Sequence, residues 1–180
     1  MIYAIIVLVL LAIFLVGLYN RLARQRVLVD EASSDIETFL KQRYDMIPNL
    51  VEIVKGYAKH ERGTFTEVTE LRAKAMAAGS LEEKMEIEGE LTKALSRIIA
   101  VAENYPELKA NTNFLDLQNS LKELENNIQK SRRFYNGSAR DFNKMIAVFP
   151  NNLLAGIFGF ERAPFFEATE EEKKNVEIKF

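Results

Sequence analysis

The chain has 180 residues, no cysteine, and 24 lysines and arginines against 26 aspartates and glutamates. This balance argues against a general nucleic-acid binder, which needs a basic surface, and the lack of cysteine rules out disulfides, thiolate catalysis and cysteine-ligated zinc. With no tryptophan, 4 prolines and 8 glycines, the composition favours a helical chain.

The first stretch, Met1 to Tyr19, contains no charged residue, amide or proline. As a helix rising about 1.5 Å per residue it is about 28 Å long, which matches the roughly 30 Å hydrocarbon core of a bilayer. A cleaved signal peptide is the alternative, but no basic residue precedes the apolar run and no small-x-small cleavage site follows it. The sequence therefore predicts a membrane anchor over residues 1–19.

The residues at the end of the anchor predict its orientation. A tyrosine suited to the membrane interface and three arginines stand there: Tyr19, Arg21, Arg24 and Arg26. Basic residues near the end of a span tend to stay on the cytoplasmic side. We therefore expect the N-terminus outside and the bulk of the chain in the cytoplasm.

From Arg21 onward apolar residues recur every three or four positions, which predicts one amphipathic helix leaving the membrane. Its predicted core positions are Val29, Ala32, Ile36, Phe39/Leu40, Tyr44, Ile47, Leu50/Val51, Val54 and Tyr57/Ala58. Pro48 leaves the carbonyl of Tyr44 without a helical partner, so we expect a kink there and Asn49 as a candidate donor. Polar groups beside the kink, including Asp45, are alternatively a binding notch. Gly63 is a second candidate break.

Two further long helices follow. Ser80 and Glu83 have the spacing of a capping box, which starts a helix running to about Asn104. Candidate caps at residues 111–113 precede a longer helix that ends near Val148.

The segment after Phe149-Pro150 is almost wholly apolar over residues 151–160 and too short to cross a bilayer. Three interpretations remain open: a helix that plugs one end of the fold, an oligomer contact, or a wedge in the membrane interface. The candidate contact residues are Leu153, Leu154, Ile157, Phe158 and Phe160. An acidic run and an alternating end follow in residues 167–180.

No pattern of catalytic residues is present in the sequence. The only histidine is His60 and Tyr57 stands three residues before it, so the Glu-x-x-His pairs of a di-metal bundle are missing. There is no Ser-His arrangement and no glycine-rich phosphate loop. We expect no catalytic residue, no metal and no cofactor, and predict that the chain is not an enzyme. An enzyme with a site near Asp45, His60 or Arg132 is the remaining alternative.

Four blocks of the sequence resemble the LemA family of bacterial membrane proteins. They are KQRYDMIPNLV with GYAKHE (residues 41–51 and 56–61), AENYPELKAN (102–111), RRFYN (132–136), and FPNNLLAGIFGF through APFFE (149–167). The family motif and kink residues are Tyr44, Asp45, Pro48, Asn49 and Tyr57. Ser33 stands where the family usually has a tryptophan.

The resemblance implies an all-α protein of the bacterial inner membrane: an N-terminal transmembrane helix (1–19), an antiparallel up-and-down four-helix bundle with a long kinked first helix (20–148), and an apolar short helix with an acidic tail (149–180). Related proteins of magnetosome membranes are linked to building or shaping an internal membrane. We expect a non-enzymatic scaffold that self-associates and whose partners are the lipid bilayer and further copies, with no nucleic acid. The alternative is an adaptor that presents or regulates another membrane protein, a protease or a sensor.

Overall fold

The computed structural model describes residues 1–58 and 61–166. All regular structure in these residues is helical, which confirms the predicted all-α class. The helices are α1 (Ile2–Tyr57), α2 (Arg62–Ala77), α3 (Leu81–Glu103), α4 (Pro106–Lys109), α5 (Thr112–Ala147) and α6 (Asn151–Phe158). His60 and the predicted acidic tail, residues 167–180, lie outside the described residues.

Helix α1 runs for 56 residues from the apolar stretch into the amphipathic one, and Pro48 lies inside it. The candidate break at Gly63 lies close to the observed one: α1 ends at Tyr57 and α2 begins at Arg62, so Gly63 lies in the first turn of α2. A glycine costs a helix only about 1 kcal/mol relative to alanine. Burial of Phe65 and Val68 in the turns that follow offsets that cost.

The described chain divides into two units. The first comprises Met1–Asp35 and Ser131–Phe165, and the second comprises Ile36–Lys130 together with Phe166. Helices α1 and α5 each contribute to both units.

In the second unit, most of the predicted core positions of α1 are buried, as are matching positions on α2, α3 and α5. The largest fully buried side chains there are Ile36, Leu40, Ile47, Leu50, Val54, Val68, Leu91, Ile98 and Leu108. Tyr57 is an exception, with 38% of its surface exposed. Its hydroxyl accepts a hydrogen bond of 3.1 Å from Asn111 Nδ2, so a polar contact replaces the burial expected of it.

The predicted capping box at the start of α3 is confirmed. Ser80 Oγ accepts a hydrogen bond of 3.2 Å from the backbone N–H of Glu83. The returning bond runs from the backbone N–H of Gly79, rather than that of Ser80, to Glu83 Oε2 at 2.9 Å. These bonds end the short connection from α2 and fix where α3 begins.

In the first unit, α1 and the C-terminal part of α5 bury Leu22, Val29, Ala32, Tyr135, Ala139, Phe142 and Ile146. The Arg26 guanidinium lies 5.9 Å from the centroid of the Phe142 ring, within the range of a cation–π contact. Among the described residues, one helix, α1, is long and apolar enough to cross a membrane, and none of its most apolar stretch is buried.

Candidate functional site

The face of α6 turned to solvent is mainly apolar, with Asn152 as its one exposed polar side chain. Its large side chains, with their exposed fractions, are Phe149 (77%), Leu153 (57%), Ile157 (74%) and Phe158 (54%); we call these four residues the α6 surface. Leu153 and Ile157 are four residues apart within α6, so they lie on one face of that helix, and Phe149 is exposed in the turn before it. No charged residue occurs between Lys144 and Glu161.

The opposite face of α6 belongs to the core. Asn151, Leu154 and Ala155 are buried there, and Phe160 is half-buried. Of the predicted contact residues, Leu153, Ile157 and Phe158 are therefore exposed. Leu154 is buried, as expected of a helix that plugs one end of the fold. The buried residues fit the helix that plugs one end of the fold, and the exposed residues fit either the oligomer contact or the membrane wedge.

The C-terminal end of α6 lies beside the end of the apolar stretch of α1. The ring centroids of Tyr19 and Phe158 are 4.8 Å apart, and those of Tyr19 and Phe160 are 5.8 Å apart. Phe160 in turn lies 6.3 Å from Phe142. These distances are typical of aromatic pairs, so the predicted interfacial tyrosine and the predicted apolar segment meet in one cluster.

The chain on either side of α6 is fastened to α5. Asn143 Nδ2 donates to the carbonyl of Ala163 and Asn143 Oδ1 accepts from the N–H of Ala163, both at 2.8 Å. Asn151 Nδ2 donates to the carbonyl of Met145 at 3.1 Å. Gly159, with a φ of 70°, ends α6 in the left-handed conformation that favours glycine. The α6 surface is therefore held in place by bonds outside the surface itself.

The three predicted interface arginines have different surroundings. Arg21 and Arg24 are exposed, whereas Arg26 is half-buried. Arg26 pairs with Asp30 at 3.1 Å in addition to its contact with Phe142. Arg21 and Arg24 thus remain the better candidates for contact with lipid headgroups.

The motif around Pro48 is arranged differently from the prediction. The carbonyl oxygen of Tyr44 accepts a hydrogen bond of 2.7 Å from Arg72 Nε, while Asn49 is exposed. The prediction that Asn49 serves this carbonyl is wrong, because α2 brings a longer donor to it from outside the helix.

A cavity of about 320 Å³ lies beside the proline, lined by Ile47, Pro48, Val51, Glu52, Lys55, Thr69 and Arg72. Asp45 does not line it. That carboxylate is exposed and pairs with Lys41 at 2.7 Å. The notch therefore exists beside the proline, but Asp45 is absent from its lining, and the charged residues that line it are Glu52, Lys55 and Arg72.

A buried ion cluster in the second unit was not predicted. Arg43 Nη1 lies 2.8 Å from Glu88 Oε2 and 3.0 Å from Glu125 Oε2, and Arg43 Nη2 donates to Thr92 Oγ1 at 2.9 Å. The side chains of Arg43 and Glu88 are each 6% exposed. The cluster joins α1, α3 and α5.

Burial is the main influence on the acid–base properties of this cluster. It raises the pKa of Glu88 despite the opposing charge of Arg43. Burial and the charge of Glu88 likewise raise the pKa of Tyr44. Glu88 Oε1 and the Tyr44 hydroxyl are both buried and make no hydrogen bond of good geometry, although each group is near enough to shift the other's pKa.

A sequence signal for this cluster does exist. Glu88 follows Met85 by three residues and precedes Leu91 by three, so a charged residue occupies the apolar stripe of α3. Arg43 is placed similarly between Leu40 and Ile47. A charge on an apolar stripe predicts a buried partner.

In residues 1–58 and 61–166, no three histidine or acidic side chains come together in a way that could hold a metal ion. The buried cluster contains two carboxylates, those of Glu88 and Glu125, and Arg43 pairs with both. Their arrangement is that of an ion pair within a helical core.

The sequence matches the LemA family over residues 32–180. The chain belongs to the LemA family. It is similar to Magnetosome protein MamQ 2 of Paramagnetospirillum magneticum, with 28% identity over 160 residues that cover 74% of this chain and 59% of the relative. It is also similar to Protein LemA of Metamycoplasma hominis, with 26% identity over 163 residues that cover 90% of this chain and 74% of the relative.

Magnetosome protein MamQ of Magnetospirillum gryphiswaldense is 25% identical over 159 residues, which cover 74% of this chain and 58% of that relative. The chain thus spans about three fifths of the length of the magnetosome relatives it matches. The matched part includes the Pro48 motif, the buried ion cluster and α6, all of which lie within residues 32–180.

Proposed function

We propose that this LemA-family protein is a non-enzymatic scaffold, anchored by α1 in the bacterial inner membrane with its N-terminus outside, which self-associates to organise or shape the bilayer. The observation that carries the proposal is the apolar first part of α1, none of which is covered by the protein. An uncovered apolar stretch of this length costs much free energy in water and little in lipid.

The continuity of α1 supports a scaffold in particular. The helix passes from Leu15, which is exposed, to Leu22, which is fully buried, with no loop between them. A helix without a linker transmits its orientation, because it is much stiffer than a flexible chain. An array of such proteins would therefore hold the part of the first unit that follows the span at a fixed angle to the bilayer.

Side-chain pairs in the second unit support the four-helix, up-and-down part of the proposal. Glu37 of α1 pairs with Lys84 of α3, and Arg43 pairs with Glu88 further along both helices, so these two helices run in the same direction. Tyr57 bonds to Asn111 of α5, whereas Arg43 pairs with the later Glu125, so α1 and α5 run in opposite directions. Glu67, early in α2, pairs with Arg97, late in α3. These two helices, which are joined by a short connection, therefore run in opposite directions.

Self-association is supported by the geometry of a shared membrane. Copies with a single span diffuse in one plane, which raises their effective concentration, so weak contacts suffice for assembly. Relatives named as magnetosome proteins support a role at a membrane.

The mass of the full-length protein extracted in a mild detergent tests the proposal. A discrete assembly of several copies is expected. A monomer that co-purifies with another membrane protein in fixed ratio would favour the adaptor instead. A monomer with no companion, soluble without detergent, would contradict both the anchor and the scaffold.

A further inference from the structure

We propose that the α6 surface lies in the interface of the bilayer leaflet in which the α1 span ends, so that the protein touches the membrane at a second point. The occupant of this surface is lipid. The inference rests on the proposed membrane anchor and adds a contact to it: α6 is a short interfacial helix, parallel to the bilayer plane, beside the span.

The first argument is the composition of the exposed face. A surface helix of a water-soluble domain normally turns charged and polar residues outward. Here Leu153 and Ile157 are more than half exposed, and no charged side chain is available from Lys144 to Glu161 to shield them. A helix of eight residues is about 12 Å long and cannot span a bilayer, but it can lie in the interface.

The second argument is position. Tyr19 is the last residue of the uncharged stretch, and Asn20 and Arg21 follow it. Tyrosine at the end of a span takes up the depth of the headgroups. Because the Phe158 ring lies 4.8 Å from the Tyr19 ring, the Phe158 end of α6 lies at that same depth along α1.

The third argument is rigidity. Asn143 holds the chain after α6 through two hydrogen bonds to Ala163, and the N–H of Phe160 bonds to the carbonyl of Ala155 at 2.9 Å. A surface fixed in this way loses little conformational entropy when it enters the interface. The exposed apolar side chains of α6 are thus already in position before they contact lipid.

Charge favours lipid over a second copy of the chain as the occupant. Lys144 and Arg162 are exposed at the two ends of the uncharged segment, near the acidic Asp141 and Glu161, and Arg21 and Arg24 are exposed at the end of the span, so basic residues outnumber acidic ones around it. Such basic residues are attracted to the anionic lipids of a cytoplasmic leaflet. Two copies meeting face to face would instead bring like charges together.

Depth-dependent quenching in proteoliposomes tests the inference. The full-length chain has no cysteine, so the single variants Ile157→Cys, Leu8→Cys and Gly137→Cys can each carry one environment-sensitive fluorophore. Leu8 reports on the anchor. Gly137 is the control for a position away from lipid, and a Cβ added there meets no atom within 4 Å. The vesicles contain phosphatidylglycerol and lipids that carry a nitroxide either near the headgroup or deep in the acyl chain.

We expect the probe at residue 157 to be quenched more strongly by the shallow nitroxide, the probe at residue 8 by the deep one, and the probe at residue 137 by neither. If the probe at residue 157 behaves like that at residue 137 while residue 8 is quenched, the anchor stands and the inference is overturned. Disulfide-linked dimers formed by unlabelled Ile157→Cys protein on treatment with a mild oxidant, together with no lipid quenching of the labelled protein, would assign the surface to a second copy and overturn it as well.

Loss of quenching at residue 8 identifies a different failure. In that outcome the proposed anchor itself is wrong, and the interfacial contact fails with it. Because Ile157 is 74% exposed, its replacement by cysteine leaves the core unchanged. The helical circular dichroism spectra of the three variants are expected to agree, which excludes misfolding as a cause of any difference among them.

Discussion

Arg72 donates a hydrogen bond from Nε to the backbone carbonyl oxygen of Tyr44, at 2.7 Å. This is the carbonyl that Pro48, four residues later and without an N–H, leaves without its helical partner. Helix α2 therefore supplies the donor that α1 lacks, and α1 continues through the proline to Tyr57. A sequence motif that looks like a local kink is also a contact between two helices.

This relationship predicts a coupling between two substitutions. Replacing Arg72 with Met removes the donor and is expected to lower the free energy of unfolding by about 1–3 kcal/mol, the cost of a carbonyl left unsatisfied. In a Pro48→Ala background the loss is expected to be smaller, because that substitution restores a backbone N–H. Chemical unfolding of the four variants in detergent measures the coupling. Equal losses in both backgrounds would show that the bond does not compensate for the proline.

The buried ion cluster predicts how substitutions at Arg43 and Glu88 change the free energy of unfolding. Arg43→Met leaves the buried carboxylate of Glu88 without its cation and is expected to cost about 3–5 kcal/mol. The double variant Arg43→Met/Glu88→Leu is expected to recover much of this loss, since an apolar pair can replace a buried ion pair.

The exposed pair between Lys41 and Asp45 is the matched control, with 76% and 54% of the two side chains accessible. Lys41→Met is expected to cost less than about 1 kcal/mol. A loss for Arg43→Met as small as that for Lys41→Met would contradict the account of the cluster.

The raised pKa of Glu88 predicts a pH dependence of stability. The ordinary pKa is 4.5 and burial raises it in the folded state, so between these two values the folded chain binds more protons than the unfolded chain. The contribution of this group to stability is therefore complete below about pH 4.5 and decreases as the pH rises through the folded pKa.

The measurement is the difference in unfolding free energy between the natural chain and Glu88→Gln, taken from about pH 4.5 to pH 8. We expect the natural chain to lose stability relative to the variant as the pH rises. Two curves that stay parallel over the whole range would argue that Glu88 is not perturbed.

The bonds from Asn143 to Ala163 predict where the chain opens locally. Asn143→Ala removes both bonds and is expected to speed amide hydrogen exchange in residues 160–163, with a stability loss of about 1–3 kcal/mol. Asn152→Ala, at an exposed asparagine of α6, is the control and is expected to leave exchange unchanged. Protection that is the same in both variants would mean that the chain after α6 is held by other contacts.

The apolar spacing was sufficient to predict the helices and most of the core. Leu40, Tyr44 and Ile47 are separated by steps of four and three residues and are all buried, because local periodicity and burial have the same cause. The capping box at Ser80 was predictable for the same reason, since its groups lie within one turn. The break between α1 and α2 was predictable only to within a few residues, because Gly63 is compatible with a helix when its neighbours are buried.

The contacts that define the candidate sites join residues far apart in the sequence. Arg43 and Glu88, Tyr44 and Arg72, and Tyr19 and Phe158 each depend on how helices pack, and no local pattern encodes that. Spacing showed that residues 151–160 were apolar, but it could not show which side chains face outward. A charge within an apolar stripe, as at Glu88, is the signal that would have indicated the buried cluster.

The basic residues after Tyr19 predict the orientation of the chain. The variant Gly137→Cys is expected to be shielded from an impermeant maleimide in intact cells and labelled after permeabilisation. A cysteine added ahead of Met1, beyond the outer end of the span, is expected to be labelled in both conditions. The reverse pattern would place the bulk of the protein outside the cytoplasm.

The number of copies in one particle within a bilayer tests the scaffold most directly. Full-length Gly137→Cys protein, labelled with one dye per chain and placed in a supported bilayer at low density, can be counted by its photobleaching steps. A self-associating scaffold predicts mobile particles that bleach in several steps, with one number of steps predominating. Particles that all bleach in a single step, at densities where the chain is membrane-bound, would contradict the proposal.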